Sequence, residues 1–584
     1  MDRIWSIYLA ILLMILLGNP LATAVSITPM NPRNDGTILY VGGEGSGNYT
    51  TIQSAIDNAT AGDTILVYPH YYPEFLTITK QLAIQGIVEN GTLPAISNES
   101  EWVVNIQADG CLFENFNVTA DYPGGILLHA DHATISNCTI SQANTGLSLD
   151  NASDNLVENN TLNEEFKNGI YLYASSRNII KGNSISSGRA WGGIVLHNAS
   201  NNNLIKDNDC SATYRTSIEN TQGATANSFI GNHLLGEILV DSGSNHIIKE
   251  NNFTGGIDLG GSFAEMLSDT LEGNVQNGKP ICFLKNQQNF TVENVAEAIL
   301  VNCSHGIVHD STMGLTPVGV LLTYCNNITC TKNTITNCWD GFRLSSCQDI
   351  TVVDNVVKDW AYGIHASYCK RAHLLRNTFT SGSSAGIGLS YCSGCIVRSN
   401  SITNSWFGID LEHVNTTNVS GNIITIMQRY AVLGDELRNI KFFANQCTTC
   451  KEGIAIYRAL HLTFIGNHFS VNEFGMDLQE CSLCWISRNE FRLNTKAGLL
   501  LISAFDGITA GNMVTHNNFG LNTLDATFEQ AYLTFWWGNY WGRPYLGPKI
   551  IPGLLINVGV YVPVFIPWLN VDFHPRSTPN LILP

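Results

Sequence analysis

The stretch GIDLE, from Gly408 to Glu412, sets two carboxylates, Asp410 and Glu412, two residues apart. In an extended strand that spacing turns both to one side. Asp435 follows about one repeat later, so the reading stacks it beside Glu412. Paired carboxylates on one surface can act as acid and base in glycoside hydrolysis. They can equally take sugar hydroxyls or a calcium ion. The same outward places in neighbouring repeats hold Arg343, His365, Tyr457, Asp477 and Gln479, and Trp339, Trp360 and Trp406 flank the strand starts. Flat rings beside acids suit the apolar face of a pyranose. The candidate catalytic residues are therefore Asp410, Glu412 and Asp435. The candidate substrate-binding residues are Arg343, His365, Trp339, Trp406, Tyr457 and Asp477. Without catalysis the same acids form a solvated face.

Sixteen cysteines raise a second chemistry. Cys303, Cys325, Cys347, Cys369 and Cys392 recur at 22 or 23 residues. Equivalent places hold Ala152, Ser175 and Ala199 earlier, and Cys481 and Ala504 later. The slot thus asks for a small residue, and cysteine fills it as a small hydrophobe. Cys392/Cys395, Cys447/Cys450 and Cys481/Cys484 have the two-residue gap of zinc knuckles, but a zinc site needs two such pairs together. Local disulfides and free thiols both stay open, and no metal ligand is assigned.

The elements that must position these groups are short. Gly319, Gly341, Gly363, Gly386, Gly408, Ala431, Gly453, Gly475, Gly498 and Gly520 fall 22 or 23 residues apart. Fourteen places after the first nine stand Asn333, Asn355, Asn377, Asn400, Asn422, Asn445, Asn467, Asn489 and Asn512. Gly146 and Gly169 pair with Asn160 and Asn183 by the same rule. Asparagine tolerates the left-handed bend, and stacked amides can bond along the column. Period-two strands between the bends predict an all-β single right-handed parallel β-helix with coils of about 22 residues, roughly eighteen to twenty of them.

These repeats resemble the right-handed parallel β-helix superfamily that includes pectin lyases, and within it the NosD-type carbohydrate-binding and sugar-hydrolase repeat group. The opening YTTIQSAIDNATAGDTILVYPHYYPE, Tyr49 to Glu74, is similar to how those proteins begin, with Ile52, Ala55, Ile56 and Ala59 on one face of a short capping helix. Asn277 to Met313 resembles a stretch found mid-helix in that group, and FWWGNYWGRP, Phe535 to Pro544, the Trp-rich ending of archaeal relatives. The resemblance implies a copper-linked accessory role as one alternative, since soft ligands favour Cu(I). No Met/His cluster supports it, and the cysteine column points inward, so copper is set aside. A lyase of this superfamily would need a base; Arg343 and Lys358 lie nearby, but no motif singles out either. The paired-Asp signature of β-helix polygalacturonases is absent, and Ser304-His305-Gly306 only faintly echoes their histidine motif.

Net charge is −18 with a pI near 5.2, which argues against a nucleic-acid partner. Residues 1–24 read as a signal peptide: Arg3, an apolar run from Ile4 to Leu17, and Ala22-Thr23-Ala24 for cleavage. The expected order is then an extension over 25–48, a β-helix over 49–525 capped at 49–74, and a Trp/Pro-rich cap over 526–584. Ile550 to Leu569 is apolar, but Pro552, Pro563 and Pro567 oppose a membrane helix. Fifteen Asn-x-Ser/Thr sequons suit an exported, extracellular or cell-surface chain. The leading expectation is a surface β-helix that binds a polysaccharide or cell-surface glycan. The alternatives are a hydrolase or lyase using the acidic patch, a NosD-like metal-maturation accessory, and a structural envelope adhesin.

Overall fold

The computed structural model describes residues 36–582 apart from 100, 121, 164–166, 187–191, 212–215, 504–507, 546 and 559–562. The leader expected over 1–24 and the cysteine-column position Ala504 lie outside the described residues. The chain is a right-handed parallel β-solenoid of about 23 turns, somewhat more than the repeat count suggests. It divides into two compact units, Met1–His233 with Asn245–Ile247, and Leu234–Ser244 with Ile248–Pro584.

In the first unit, each coil contributes one strand to each of three parallel sheets. Ile38–Val41 already pairs with Thr64–Val67 inside the segment expected as an extension. Helix α1, Ile52–Asn58, buries Ile52, Ala55 and Ile56, as its spacing demands. The Glu74 carboxylate accepts from the first N–H groups of α1, Ile52 at 2.8 Å and Gln53 at 3.0 Å. Inward positions are apolar and fully buried, among them Ile65, Ile84, Phe113, Ile135, Val157, Ile180 and Ile205. Two asparagine columns run through this unit, Asn155–Asn178–Asn203–Asn227 and Asn160–Asn183–Asn208–Asn232.

The second unit continues the pattern with long strands that turn a corner without breaking, such as Thr334–Ser345, Val356–Ser367 and Ser401–Glu412. Its asparagine column is continuous from Asn333 to Asn489, and each backbone N–H donates to the amide oxygen of the next coil's asparagine at 2.9–3.1 Å. Asn512 is not the next member. The coil after Gly498 is longer, Ala497 pairs with Leu524, and the column passes to Asn517 and then Asn539. Asn512 instead accepts from Cys484 one corner earlier. For the same reason Gly520 does not begin a coil; it pairs with Arg492.

The five cysteines at 22–23-residue spacing do lie in one interior column, each at most 2% exposed. Every thiol donates to a backbone carbonyl, as Cys325 does to Leu300 at 3.4 Å and Cys347 to Leu322 at 3.3 Å. Successive rungs also bond, with the N–H of Cys325 donating to Cys347 Sγ at 3.3 Å. In the first unit Ser175 hands on to Ser200, not to Ala199. All sixteen cysteines are unbridged. Burial pushes the Cys484 thiol up to about 12, so the Cys481/Cys484 pair is not a poised thiolate.

Strands continue past Phe535: Phe535–Trp537 pairs with Met513–Thr515 and Tyr540–Trp541 with Asn518–Phe519. Lys549–Val558 and Pro563–Asp572 then form an antiparallel ribbon. No helix among the described residues is long and apolar enough to cross a membrane.

Candidate functional site

The outward side of one sheet in the second unit gathers the candidate residues into two neighbouring columns. In the first, Arg343 pairs with His365, His365 with Gly388, Gly388 with Asp410, Asp410 with Leu433, and Ala455 with Asp477. In the second, Ser390 pairs with Glu412, Glu412 with Asp435, Asp435 with Tyr457, and Tyr457 with Gln479. The expected stacking of Asp435 beside Glu412 is therefore present. Gly388 parts the Arg343/His365 group from the acids.

At the Arg343 end, two carboxylates that the repeat spacing did not single out fix the guanidinium. Arg343 Nε donates to Asp340 Oδ2 at 2.5 Å and Nη1 to Asp258 Oδ1 at 2.7 Å. His365 Nδ1 lies 4.0 Å from Asp340 Oδ2, and its ring stacks on Tyr362 at 4.9 Å. Burial pushes the Asp340 carboxyl up against the opposing pull of Arg343. An arginine held twice in this way orients neighbours and has little charge left over for an anionic ligand.

The three predicted acids differ sharply. Glu412 is exposed and accepts from Ser390 Oγ at 3.3 Å. Asp435 is held by Arg458 through Nε at 2.9 Å and through Nη2. Asp410 is mostly buried, and burial, reinforced by Glu412 and Asp435, lifts its carboxyl to about 6. Of the trio, Asp410 has the proton affinity of an acid or base at neutral pH. That shift has a stability consequence. Between the unfolded value of 3.8 and the folded value of about 6, the folded chain binds more protons, so stability falls as pH rises through that window. Asp410→Asn should remove the fall and gain about 2 kcal/mol over wild type by pH 7, after allowance for partial solvent screening. Urea midpoints of both proteins at pH 4 and pH 7 test it; an unchanged gap between them would refute the shift.

One step further, Asp477 and Glu452 form an acid pair that was only half foreseen. Burial lifts Asp477 to about 6, and Gln479 Nε2 donates to its Oδ2 at 3.0 Å. Burial, then Asp477, lifts Glu452 to about 7. Burial and the neighbouring Tyr430 raise Tyr457 as well. Glu452 precedes the coil glycine Gly453, the place held elsewhere by Asp340, Tyr362, Phe407, Tyr430 and Phe474. That column of acids and rings is the signal that would have found it. Phe407 and Tyr430 stack within it at 5.8 Å and 8°.

Of the three tryptophans, Trp339 and Trp406 are exposed, and Arg429 sits over the Trp406 ring at 5.4 Å. Trp360 is 3% exposed and belongs to the core. It pairs in register with Gly382, where an added Cβ would lie 2.0 Å from the indole. Below Glu412, His413, Asn415, Glu436, Arg438 and Arg458 line a shallow cavity of about 380 Å³.

A stack of 22-residue coils with buried asparagine columns and a polar outer face defines a right-handed parallel β-helix repeat protein. The right-handed β-helix region model matches residues 96–234, and the model "Periplasmic copper-binding protein (NosD)" matches 237–383, 268–424 and 380–547. The NosD matches together cover more than half of the chain, and the chain belongs to that family. A cell surface glycoprotein of Methanothermus fervidus is 26% identical over 270 residues, 39% of this chain and 42% of that protein, so less than half of either is matched. Among solved structures, the periplasmic alginate epimerase AlgG is 9% identical with a TM-score of 0.26 over 84% of each chain. The catalytic domain of a GH87 α-1,3-glucanase with nigerose is 10% identical with a TM-score of 0.28, over 62% of this chain and 66% of that one. These two likenesses carry no argument about activity.

The family description names copper, and the donors here do not fit it. Among the described residues no group of three or more His, Cys, Asp or Glu side chains is arranged to hold a metal ion. The cysteine column donates to backbone carbonyls inside the buried core, where Met313, Met427 and Met476 also lie, with Met427 Sδ accepting from Ser405 Oγ at 3.1 Å. The soft ligands of the cysteine column are stacked together, but they are buried and bonded to the backbone, not open.

Proposed function

We propose that this chain is an exported, cell-surface β-helix that binds carbohydrate along the outward face of its second unit. One observation carries the reading: exposed Trp339 and Trp406 stand on the strands that carry Arg343 and the carboxylates Asp410 and Glu412, and Glu412 is in register with Asp435. Rings supply stacking for pyranose faces, and fixed carboxylates and amides accept hydroxyls. The family and the surface glycoprotein relative support the location; the excess of acids favours neutral over anionic glycans.

A second reading, a polysaccharide hydrolase, is favoured by Asp410, whose carboxyl sits near 6 beside exposed Glu412. Both readings are tested together. The chain from Val25 is incubated with neutral and acidic polysaccharides in calcium, and retention and product size are followed. Retention without shortening is the expected result. Shortened products abolished by Glu412→Gln would make the protein an enzyme. Neither retention nor cleavage would overturn both readings and leave an envelope scaffold.

A further inference from the structure

The corner after each outward strand carries a ladder of rings beside the cysteine column. Tyr324, Ser346, Tyr368, Tyr391 and His413 occupy one position in successive coils. Their N–H groups donate to Ser345, Ser367, Ser390, Glu412 and Asp435 of the next coil at 2.9–3.0 Å. All five hold a left-handed backbone, φ +51 to +56°. That conformation costs a bulky residue about 1 kcal/mol or more, and Asn or Asp would meet it more cheaply. Tyrosine at three of these corners is therefore a choice of side chain, not of backbone.

The rings stack along the solenoid. Tyr368 and Tyr391 lie 5.1 Å apart at 10°, and Tyr391 and His413 4.4 Å apart at 19°. Phe263, from helix α2 (Phe263–Ser268), packs on Tyr324 at 4.3 Å. One rung is missing. Ser346 stands between Tyr324 and Tyr368, too short to stack. Those tyrosines are two coil steps, about 10 Å, apart. A ring placed midway would sit about 5 Å from each, within the range of stacked rings and equal to the rungs already present. Tyr368 is 60% exposed, against 49% for Tyr391, which has a ring on both sides, and Tyr324 is 46% exposed.

We propose that the gap over Ser346 is a slot for one pyranose ring, clamped between Tyr324 and Tyr368. This rests on the carbohydrate-binding reading and adds where a sugar ring is held. The surroundings are polar and fixed. Gln348 Nε2 donates to Asp349 Oδ2 at 3.1 Å, and Arg371 holds Asp349 through Nε at 2.6 Å and Nη2 at 2.7 Å. Ser345 and Ser367 edge the slot and, two residues along each strand from Arg343 and His365, join it to the outward face. Hydroxyl, amide and carboxylate groups around two ring faces match a ring with hydroxyls on its edge and C–H bonds on its faces. They match a protein's aromatic side chain less well.

The full chain is tested as wild type, Ser346→Tyr, Tyr368→Ser and the surface control Tyr532→Ser, against hexasaccharides of glucose, mannose and N-acetylglucosamine, by calorimetry. Ser346→Tyr supplies the missing rung from within, so it should fold normally and lose about tenfold or more in affinity. Tyr368→Ser should lose about five- to tenfold by removing one stacking face, and the control should bind as wild type. Unchanged affinity in Tyr368→Ser overturns the slot while leaving carbohydrate binding intact, and decides the matter should Ser346→Tyr not fold. Binding of none of the sugars by wild type overturns both. Capture of a tyrosine-rich peptide but no sugar, lost in Ser346→Tyr, would give the slot to a protein ring and overturn the proposal.

Discussion

Asn400→Ala should open the solenoid locally, at a cost of about 4–6 kcal/mol, because four buried hydrogen bonds lose a partner at once. The Asn400 amide oxygen accepts from Asn377 N–H at 2.9 Å and Nδ2 at 3.1 Å, and its own Nδ2 donates to Leu374 at 2.9 Å and Asn422 at 3.0 Å. Alanine removes both halves: the Asn377 N–H is left buried and unpaired, and the Leu374 carbonyl keeps only its bond within the strand ladder. The effect should stay near the lesion, since each coil touches only its neighbours. Hydrogen exchange measures it: amides of the coils spanning 374–422 should lose protection, while the exposed control Gln428→Ala changes stability by no more than about 0.5 kcal/mol. Equal protection in the two variants would show that the column is ornamental.

Asp572→Ala should detach the C-terminal end. This fully buried carboxylate accepts five N–H groups: Gly538 at 3.2 Å, Asn539 backbone at 3.0 Å and side chain at 3.0 Å, Trp541 Nε1 at 3.2 Å and His574 at 3.1 Å. Bonds to a charged acceptor are the stronger kind, and losing them costs about 5 kcal/mol or more. Trp536 and Trp541 are buried beside this carboxylate. Their emission should shift to the red, and proteases should cut within residues 535–572, in Asp572→Ala but not in wild type. Unaltered emission and protease resistance would mean that the ribbon holds without it.

What the sequence made legible was whatever recurs. A column repeated at 22 residues cannot be moved by one residue without turning every core side chain outward, so period alone placed Asn333 to Asn489, the five cysteines and the Glu412–Asp435 contact. What does not recur was not legible. Asp258 reaches Arg343 from 85 residues away. Trp360 looks like Trp339 and Trp406 until Gly382 opens room for its indole inside. The long coil after Gly498 breaks the count and sends Asn512 to another corner. Glu452 recurs only as a mixed column of acids and rings, which residue-by-residue matching passes over. The acidic patch was visible, but not the division of labour within it, because burial and Arg458 set that, and neither has a period.

The asparagine column has a direction. Each member gives its backbone N–H forward to the next coil, and the series Asn489, Asn517, Asn539 ends on Asp572, which only receives. From Asn333 onward every junction before that end is chemically the same sentence. A gene that gains or loses whole repeats in the interior therefore leaves all junctions grammatical, whereas one cut short before Asp572 ends on an unanswered donor. The interior of the solenoid is thus tolerant of added or lost coils, and the full stop at Asp572 is the part that cannot be spared.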